Sequence, residues 1–260
     1  MNSLRSILTI LAIFLWAGSL VPVQIVILIG FKPHRHSIPK LFHRGLCWLL
    51  RVEVVVSGTI SAERPTLFVL NHISWLDIPV VGKTLSGSFV AKKDVEGYPV
   101  VGAISKLQQT IFIERTRPAI MGHKGEMQQH LENGDNLFLF PEGTSSNGIV
   151  VQNFKSPYFA LAEREIEGRH LSVQPVTVAY SRLNNIGLTR GTMSIVAWVG
   201  DEELLGHIWA FLKKGKITAE LRFHEPVKID DYDSRKTMAS DCQLTIAKSL
   251  SRALTGRPEA

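Results

Sequence analysis

The pattern of apolar and polar positions divides the chain into two unlike parts. Residues 6–31 carry no charge, and apolar side chains dominate the stretch from Ile7 to Trp16. As one helix this segment would be about 39 Å long, against about 30 Å for the hydrocarbon core of a bilayer. Pro22 lies in it, which leaves open a kinked span or a pair of short helices dipping into one leaflet. A cleaved signal peptide is the competing reading. The apolar region is too long for one, and a mature chain would then begin with the basic segment at Lys32.

Beyond residue 51 the pattern alternates. Apolar, β-branched runs at 52–56, 66–70, 88–91, 110–113, 136–140, 173–180, 193–198 and 217–223 predict strands. Helical periodicity fills 77–85, 98–107, 119–132, 157–167, 203–213 and 234–254. The expected fold is α/β, a mixed sheet flanked by helices, with an N-terminal membrane-anchoring helical segment. Residues 1–50 form the anchor with an interfacial basic stretch, and 51–260 form one domain. A loop is expected around 187–191.

Charge sharpens the picture of the N-terminal part. Lys32, Arg35, Lys40, Arg44 and Arg51 alternate with His34, His36, Phe42, His43, Leu46, Trp48, Leu49 and Leu50. That mixture fits an amphipathic interfacial segment that binds anionic headgroups. The basic flank places the main domain on the cytoplasmic side of the cell inner membrane. The net charge of +6 suits anionic lipid surfaces and acidic acyl carriers, and no nucleic-acid motif is present. His34 and His36 have no Cys or carboxylate cluster beside them, so no metal site is expected. Cys47 and Cys242 are read as ordinary packing residues.

Candidate chemistry lies at strand ends. Asn71-His72-Ile73-Ser74-Trp75-Leu76-Asp77 follows the apolar run 66–70 directly, which sets a histidine at the mouth of a sheet with a carboxylate five residues on. A neutral imidazole can take a proton from an alcohol near pH 7, and a carboxylate fixes its tautomer and steadies the imidazolium. Ser74 lacks the glycine-flanked elbow of a covalent nucleophile, so the expected partner of His72 is a hydroxyl on a substrate. The chain holds a second such spacing, His130 to Asp135, at a helix C-terminus and turn, which reads as surface capping and solvation.

Three further motifs follow. Ile111-Phe112-Ile113-Glu114-Arg115 ends a strand by projecting an arginine. Phe140-Pro141-Glu142-Gly143-Thr144-Ser145-Ser146 turns off another and offers backbone N–H groups to an anion. Val173-Gln174-Pro175-Val176 sets a proline where a sheet edge or a bulge is expected. Taken singly, each also has a purely structural reading as a surface ion pair, an ordinary turn or edge protection.

In this order the four motifs resemble the glycerolipid, lysophosphatidate-type acyltransferase family over roughly residues 50–200. The resemblance implies transfer of a fatty acyl group from acyl-carrier protein or coenzyme A to a lysolipid hydroxyl, with no cofactor and no metal. It implies His72 as general base and Asp77 as its orienting partner. Arg115, Glu142, Gly143 and Thr144 would shape the acceptor site, Pro175 its wall, and Lys92 and Lys93 match a basic position of the family. Alcohol attack on a thioester needs a base and oxyanion stabilisation, without a covalent enzyme intermediate.

One departure bears on the acceptor. Many phosphatidate-forming members carry an arginine after Glu-Gly-Thr, suited to bidentate phosphate recognition; here that position is Ser145. On the family's commoner activity the acceptor is expected to be 1-acyl-sn-glycerol-3-phosphate, giving phosphatidate. The alternative is lyso-ornithine lipid, because the segment from Glu142 to Gly148 and Trp198-Val199-Gly200-Asp201 are similar to that subgroup. A catalytically silent lipid-binding protein would be expected to lose His72 or Asp77. A hydrolase would show a glycine-flanked serine or a metal cluster.

Overall fold

A computed structural model describes residues 2–114, 124–166, 168–200 and 202–256. The helices are α1 (Asn2–Gly30), α2 (Ser37–Leu49), α3 (Asp77–Thr84), α4 (Pro99–Leu107), α5 (Lys124–Glu132), α6 (Leu204–Leu212) and α7 (Arg235–Thr255). The strands are β1 (Val52–Ser57), β2 (Thr66–Leu70), β3 (Ser88–Lys92), β4 (Ile111–Ile113), β5 (Leu137–Leu139), β6 (Glu165–Ile166), β7 (Arg169–His170), β8 (Ser172–Leu183), β9 (Ile186–Gly187) and β10 (Ile217–Phe223). The main sheet runs β1-β10-β8-β2-β5-β3-β4, with β9 on the end of β8, while β6 and β7 pair apart from it.

Along that path only β10 and β8 are antiparallel, so the sheet is mixed, as the alternating pattern predicts. Every residue of β2 is buried, the signature of a parallel strand covered on both faces. Because β2, β5, β3 and β4 run the same way, their carboxyl ends open on one edge. In open α/β sheets that edge is where ligands bind. The motifs at His72, Glu142, Lys92 and Glu114 are therefore gathered by topology, although they lie far apart in sequence.

Several expectations change. The helix predicted at 157–167 is a short 3₁₀ turn, Ser156–Leu161, followed by the β6–β7 hairpin. Four consecutive buried residues, Tyr158 to Leu161, leave no solvent face for an amphipathic helix. The strand predicted at 193–198 is a 3₁₀ turn, Met193–Ile195, and a loop whose backbone bonds to other loops. Of the helix predicted at 119–132, the part from Lys124 is present, and the start lies outside the described residues. The loop expected at 187–191 begins with β9.

Pro175 is not on a sheet edge: β8 lies between β10 and β2, and Pro175 pairs with Val69. The bulge reading fits instead. Between the pairs Val176↔Phe223 and Val173↔Val227, β8 holds Gln174 and Pro175 while the facing chain holds His224, Glu225 and Pro226. Gln174 Nε2 fills the irregularity by donating to the carbonyls of His224 and Thr59.

The N-terminal segment is neither a helix pair nor broken at Pro22, but one continuous helix. It is fastened along its length. Arg5 donates to the carbonyls of Leu212 (2.7 Å), the last residue of α6, and Lys214 (2.5 Å) just beyond it. Trp16 Nε1 donates to Phe42 of α2, where Gly45 leaves room for the indole. Gln24 Nε2 donates to Arg35 and to Leu107 at the end of α4. The outward row Leu4, Leu8, Leu11, Leu15 and Ile29 stays exposed.

Candidate active site

The loop after β2 is held before it turns. Asn71 extends the sheet by side-chain pairing, donating to the Val178 carbonyl (2.9 Å) and accepting from the Val178 N–H (2.8 Å). Asp77, fully buried at the start of α3, then gathers the loop around its carboxylate. Oδ2 accepts from His72 Nδ1 (2.7 Å) and from the N–H groups of Ile73 (2.7 Å) and Ser74 (3.0 Å), and Oδ1 accepts from the Tyr180 hydroxyl (2.7 Å). With Nδ1–H donated to Asp77, the neutral ring presents the lone pair of Nε2 outward. The ring stacks on Phe140 at 4.3 Å between centroids.

The sequence alone does not single out Tyr180, which reads there as part of an apolar strand. A buried tyrosine hydroxyl needs a partner, and that need is the signal that points to it. Burial and the neighbouring Asp77 carboxylate raise its pKa well above the usual range, so it stays a donor. Ser74 is also placed: its hydroxyl is buried without a hydrogen-bond partner, so it is not bonded to a base that would activate it.

Glu142 is a bracket between loops. Only 2% exposed, it accepts from the N–H groups of His72 (2.6 Å) and Gln152 (2.7 Å). Burial pushes its carboxyl up to about 7, against the two N–H donors. Gly143 has φ +75°, the left-handed region that favours glycine, whereas the nearest atom to a Cβ there is the tip of the flexible Lys155 side chain, which could move aside. Beside it is an open groove of about 570 Å³, lined by Thr144, Gln152, Phe154 and Lys155. The Ser145 hydroxyl donates to the Trp198 carbonyl, while the Ser146 N–H donates to the His72 carbonyl and the Trp198 N–H to that of Ile73.

The remaining candidates are less closely joined to His72. Lys92 and Lys93 are exposed at the end of β3, where they pair with Asp94 and Glu96. Pro175 is buried inside the sheet. Arg115 lies outside the described residues. The pair His130–Asp135 is not a solvated cap. Asp135 is 5% exposed and holds His130 Nδ1 (3.0 Å), His36 Nε2 (2.7 Å) and Arg35 (2.7 Å). His43, read as interfacial, is buried against Gln108, and burial lowers its pKa to about 4. Among the described residues, no group of three or more His, Cys, Asp or Glu side chains is arranged to hold a metal ion.

An oriented imidazole at the carboxyl edge of a mixed sheet, with no nucleophilic side chain hydrogen-bonded to it among the described residues, has the geometry suited to activating a hydroxyl on a substrate. Comparison with known proteins narrows the chemistry. The Acyltransferase family profile matches residues 51–181, and this chain belongs to that family. The chain is 35% identical to the lyso-ornithine lipid O-acyltransferase of Brucella abortus (strain 2308), covering 100% of this chain and 99% of that one. It is 34% identical to the protein of the same name from Rhizobium meliloti (strain 1021), over 92% and 83% of the two chains. A 1-acyl-sn-glycerol-3-phosphate acyltransferase of Neisseria meningitidis serogroup B is 33% identical over 46% of this chain and 48% of its own length. The fold matches the crystal structure of the 1-acyl-sn-glycerophosphate acyltransferase PlsC from Thermotoga maritima, with TM-score 0.69 and 20% identity over 100% of both chains. The chain is an acyltransferase of the lysolipid type.

Proposed function

We propose that this chain is a lyso-ornithine lipid O-acyltransferase, which moves a fatty acyl group from acyl-carrier protein or coenzyme A to the free hydroxyl of that lipid. This reverses the expectation of lysophosphatidate as acceptor. The observation that carries it is Ser145: a short hydroxyl, engaged with the Trp198 carbonyl, stands where a guanidinium would grip a phosphate. The end-to-end similarity to proteins of that name supports the same acceptor.

In this reading His72 Nε2 takes the proton of the acceptor hydroxyl as its oxygen attacks the thioester carbonyl. The tetrahedral intermediate collapses, the C–S bond breaks, and the imidazolium returns the proton to the departing thiolate. Asp77 holds the ring and steadies its charge, and Tyr180 holds Asp77. Glu142 and Gly143 shape the loop beside the acceptor, and Thr144 and Lys155 line the groove next to it. Lys92, Lys93 and Arg115 remain candidates for contact with anionic groups, and Pro175 supports the sheet beneath.

The enzyme works on a membrane without crossing it. Arg5 and Gln24 are fastened to the same domain at points about 28 Å apart along α1, nearly the thickness of a hydrocarbon core. A helix so held lies in the membrane surface, with its row of leucines toward the lipid. The basic stretch from Lys32 to Arg51 suits the anionic cytoplasmic leaflet of the inner membrane.

The test is acyl transfer by purified full-length protein to lyso-ornithine lipid and to lysophosphatidate, with each thioester donor. Lyso-ornithine lipid should react at least about tenfold faster, a gap of about 1.4 kcal/mol in the barrier. The opposite ratio would overturn the acceptor and leave the acyl-transfer chemistry standing.

A further inference from the structure

Helix α6 has two faces with different partners. Its inner face carries His207 and Phe211, and both meet Trp75 in the loop between His72 and Asp77. The Trp75 indole N–H donates to His207 Nδ1 (3.0 Å), and the Phe211 ring meets it edge-on at 5.5 Å. Its outer face carries Leu205, 71% exposed, then Trp209 and Lys213 at successive four-residue steps, with the Lys213 ammonium 4.7 Å over the Trp209 ring. An apolar residue, an indole and a snorkelling cation in one row match the order of environments from acyl boundary to headgroup.

The position of α6 says what covers that face. Arg5 of α1 closes the C-terminal end of α6, so the start of α1, which carries the exposed Leu4 and Leu8, meets that end. Arg5, Lys213 and Lys214 put cations at that junction, while Glu202 and Glu203 stand at the other end of α6. Just before α6, the Trp198 backbone accepts from Ser145 and donates to Ile73, and its indole donates to the Glu202 carbonyl (2.8 Å). This helix is thus bonded, directly or through its leading turn, to both loops of the candidate active site.

We propose that α6 is a second membrane-contact element, seated with its basic end in the headgroup layer of an anionic bilayer, which couples the lipid surface to the His72 loop through His207 and Trp75. The proposal rests on the reading that α1 lies in the membrane surface. His207 is then a positioning residue: its Nδ1 accepts from Trp75, and it touches no reacting atom.

The test uses the full chain with phosphatidylglycerol–phosphatidylcholine vesicles. Flotation and acyl transfer are compared for an acceptor carried in the vesicles and for a short-chain acceptor kept monomeric. Leu205→Glu should weaken vesicle binding about tenfold or more, as expected for an apolar side chain kept out of lipid, and should lower turnover of the vesicle acceptor. Its turnover of the monomeric acceptor and its melting curve should match wild type. Leu244→Glu, on the exposed face of α7, is the matched control and should behave as wild type in every assay. His207→Leu should still float but lose the advantage of vesicle over monomeric acceptor. Wild-type flotation of Leu205→Glu would overturn the membrane contact, as would equal loss on both acceptors, which would mark the face as structural or as a carrier-protein contact. A proportional fall of both turnovers in His207→Leu would overturn the coupling. Leu15→Glu, on α1, separates the underlying reading: wild-type flotation of that variant would remove α1 from the membrane while leaving the α6 result to be read by itself.

Discussion

Four groups converge on the Asp77 carboxylate, and the imidazole of His72 is the one among them that keeps a free reactive nitrogen. Replacing His72 with Ala should reduce acyl transfer by about 10²–10⁴-fold with little change in melting temperature, measured by turnover and calorimetry. Tyr180→Phe removes one donor to the carboxylate and should cost about 1–2 kcal/mol of stability together with a lower kcat. Glu142 supplies a pH signature. Its folded pKa, about 7, is above the ordinary glutamate value, so its contribution to stability is full in acid and is lost as pH rises through about 7. The melting temperature of wild type should therefore fall over that window relative to Glu142→Gln, which cannot titrate. A parallel pair of curves would show that Glu142 does not titrate there. The pairing of His72 with Asp77 is legible in sequence because the loop is local: five residues bring the two together after a strand. Tyr180 comes from the far half of β8, and Trp75 meets His207 from α6, so local spacing reveals neither.

At the scale of elements, Asp135 ties the connection between α1 and α2 to α5 and β5. Burial alone would raise its carboxyl, but hydrogen bonds from His130, His36 and Arg35 outweigh that and hold it well below the usual carboxylate range. A depressed pKa gives stability that is complete above the ordinary value and is lost as pH falls below it. Asp135→Asn should cost about 2 kcal/mol at neutral pH. The gap to wild type should stay level down to about pH 4 and close below it, as followed by denaturant titration. His130→Ala should share the stability loss yet retain acyl transfer. The spacing of His130 and Asp135 suggests a solvated cap because their other partners, Arg35 and His36, lie about a hundred residues upstream. Strands β2 and β10 match the predicted bounds, since β-branched runs between turn residues have few other uses. The run 193–198 has the same composition and forms no strand. Its backbone N–H at Trp198 is committed to the Ile73 carbonyl, a tertiary demand that periodicity does not register.

On the scale of the whole molecule, the long apolar helix is plain in the sequence and its attitude is not. Composition and length satisfy the requirements of a spanning helix, and the three fastenings that lay α1 against the domain come from single polar residues, Arg5, Trp16 and Gln24. The proposed surface attitude predicts the labelling pattern of its two ends. Ser3→Cys and Gly30→Cys, tested separately in sealed vesicles with an impermeant maleimide, should both react from the same side, since the native Cys47 and Cys242 are buried. Labelling from opposite sides would establish a crossing helix.

The fastening of Arg5 to Leu212 joins residues 207 positions apart, and this sets an order of events during synthesis. Helix α1 leaves the ribosome first, and its docking partner follows after nearly the whole domain has been made. At about 5–20 residues per second, the interval is about 10–40 s. Until the core has been made, the inner apolar positions Ile10 and Ile13 have none to pack against. On the proposed surface attitude, the nascent α1 exposes both its inner and its outer apolar rows and should partition into lipid at greater depth than the finished enzyme. Completion of α6 should then draw the helix to the surface. Chains stopped before Leu204 should resist alkaline extraction from membranes more strongly than the full-length protein does.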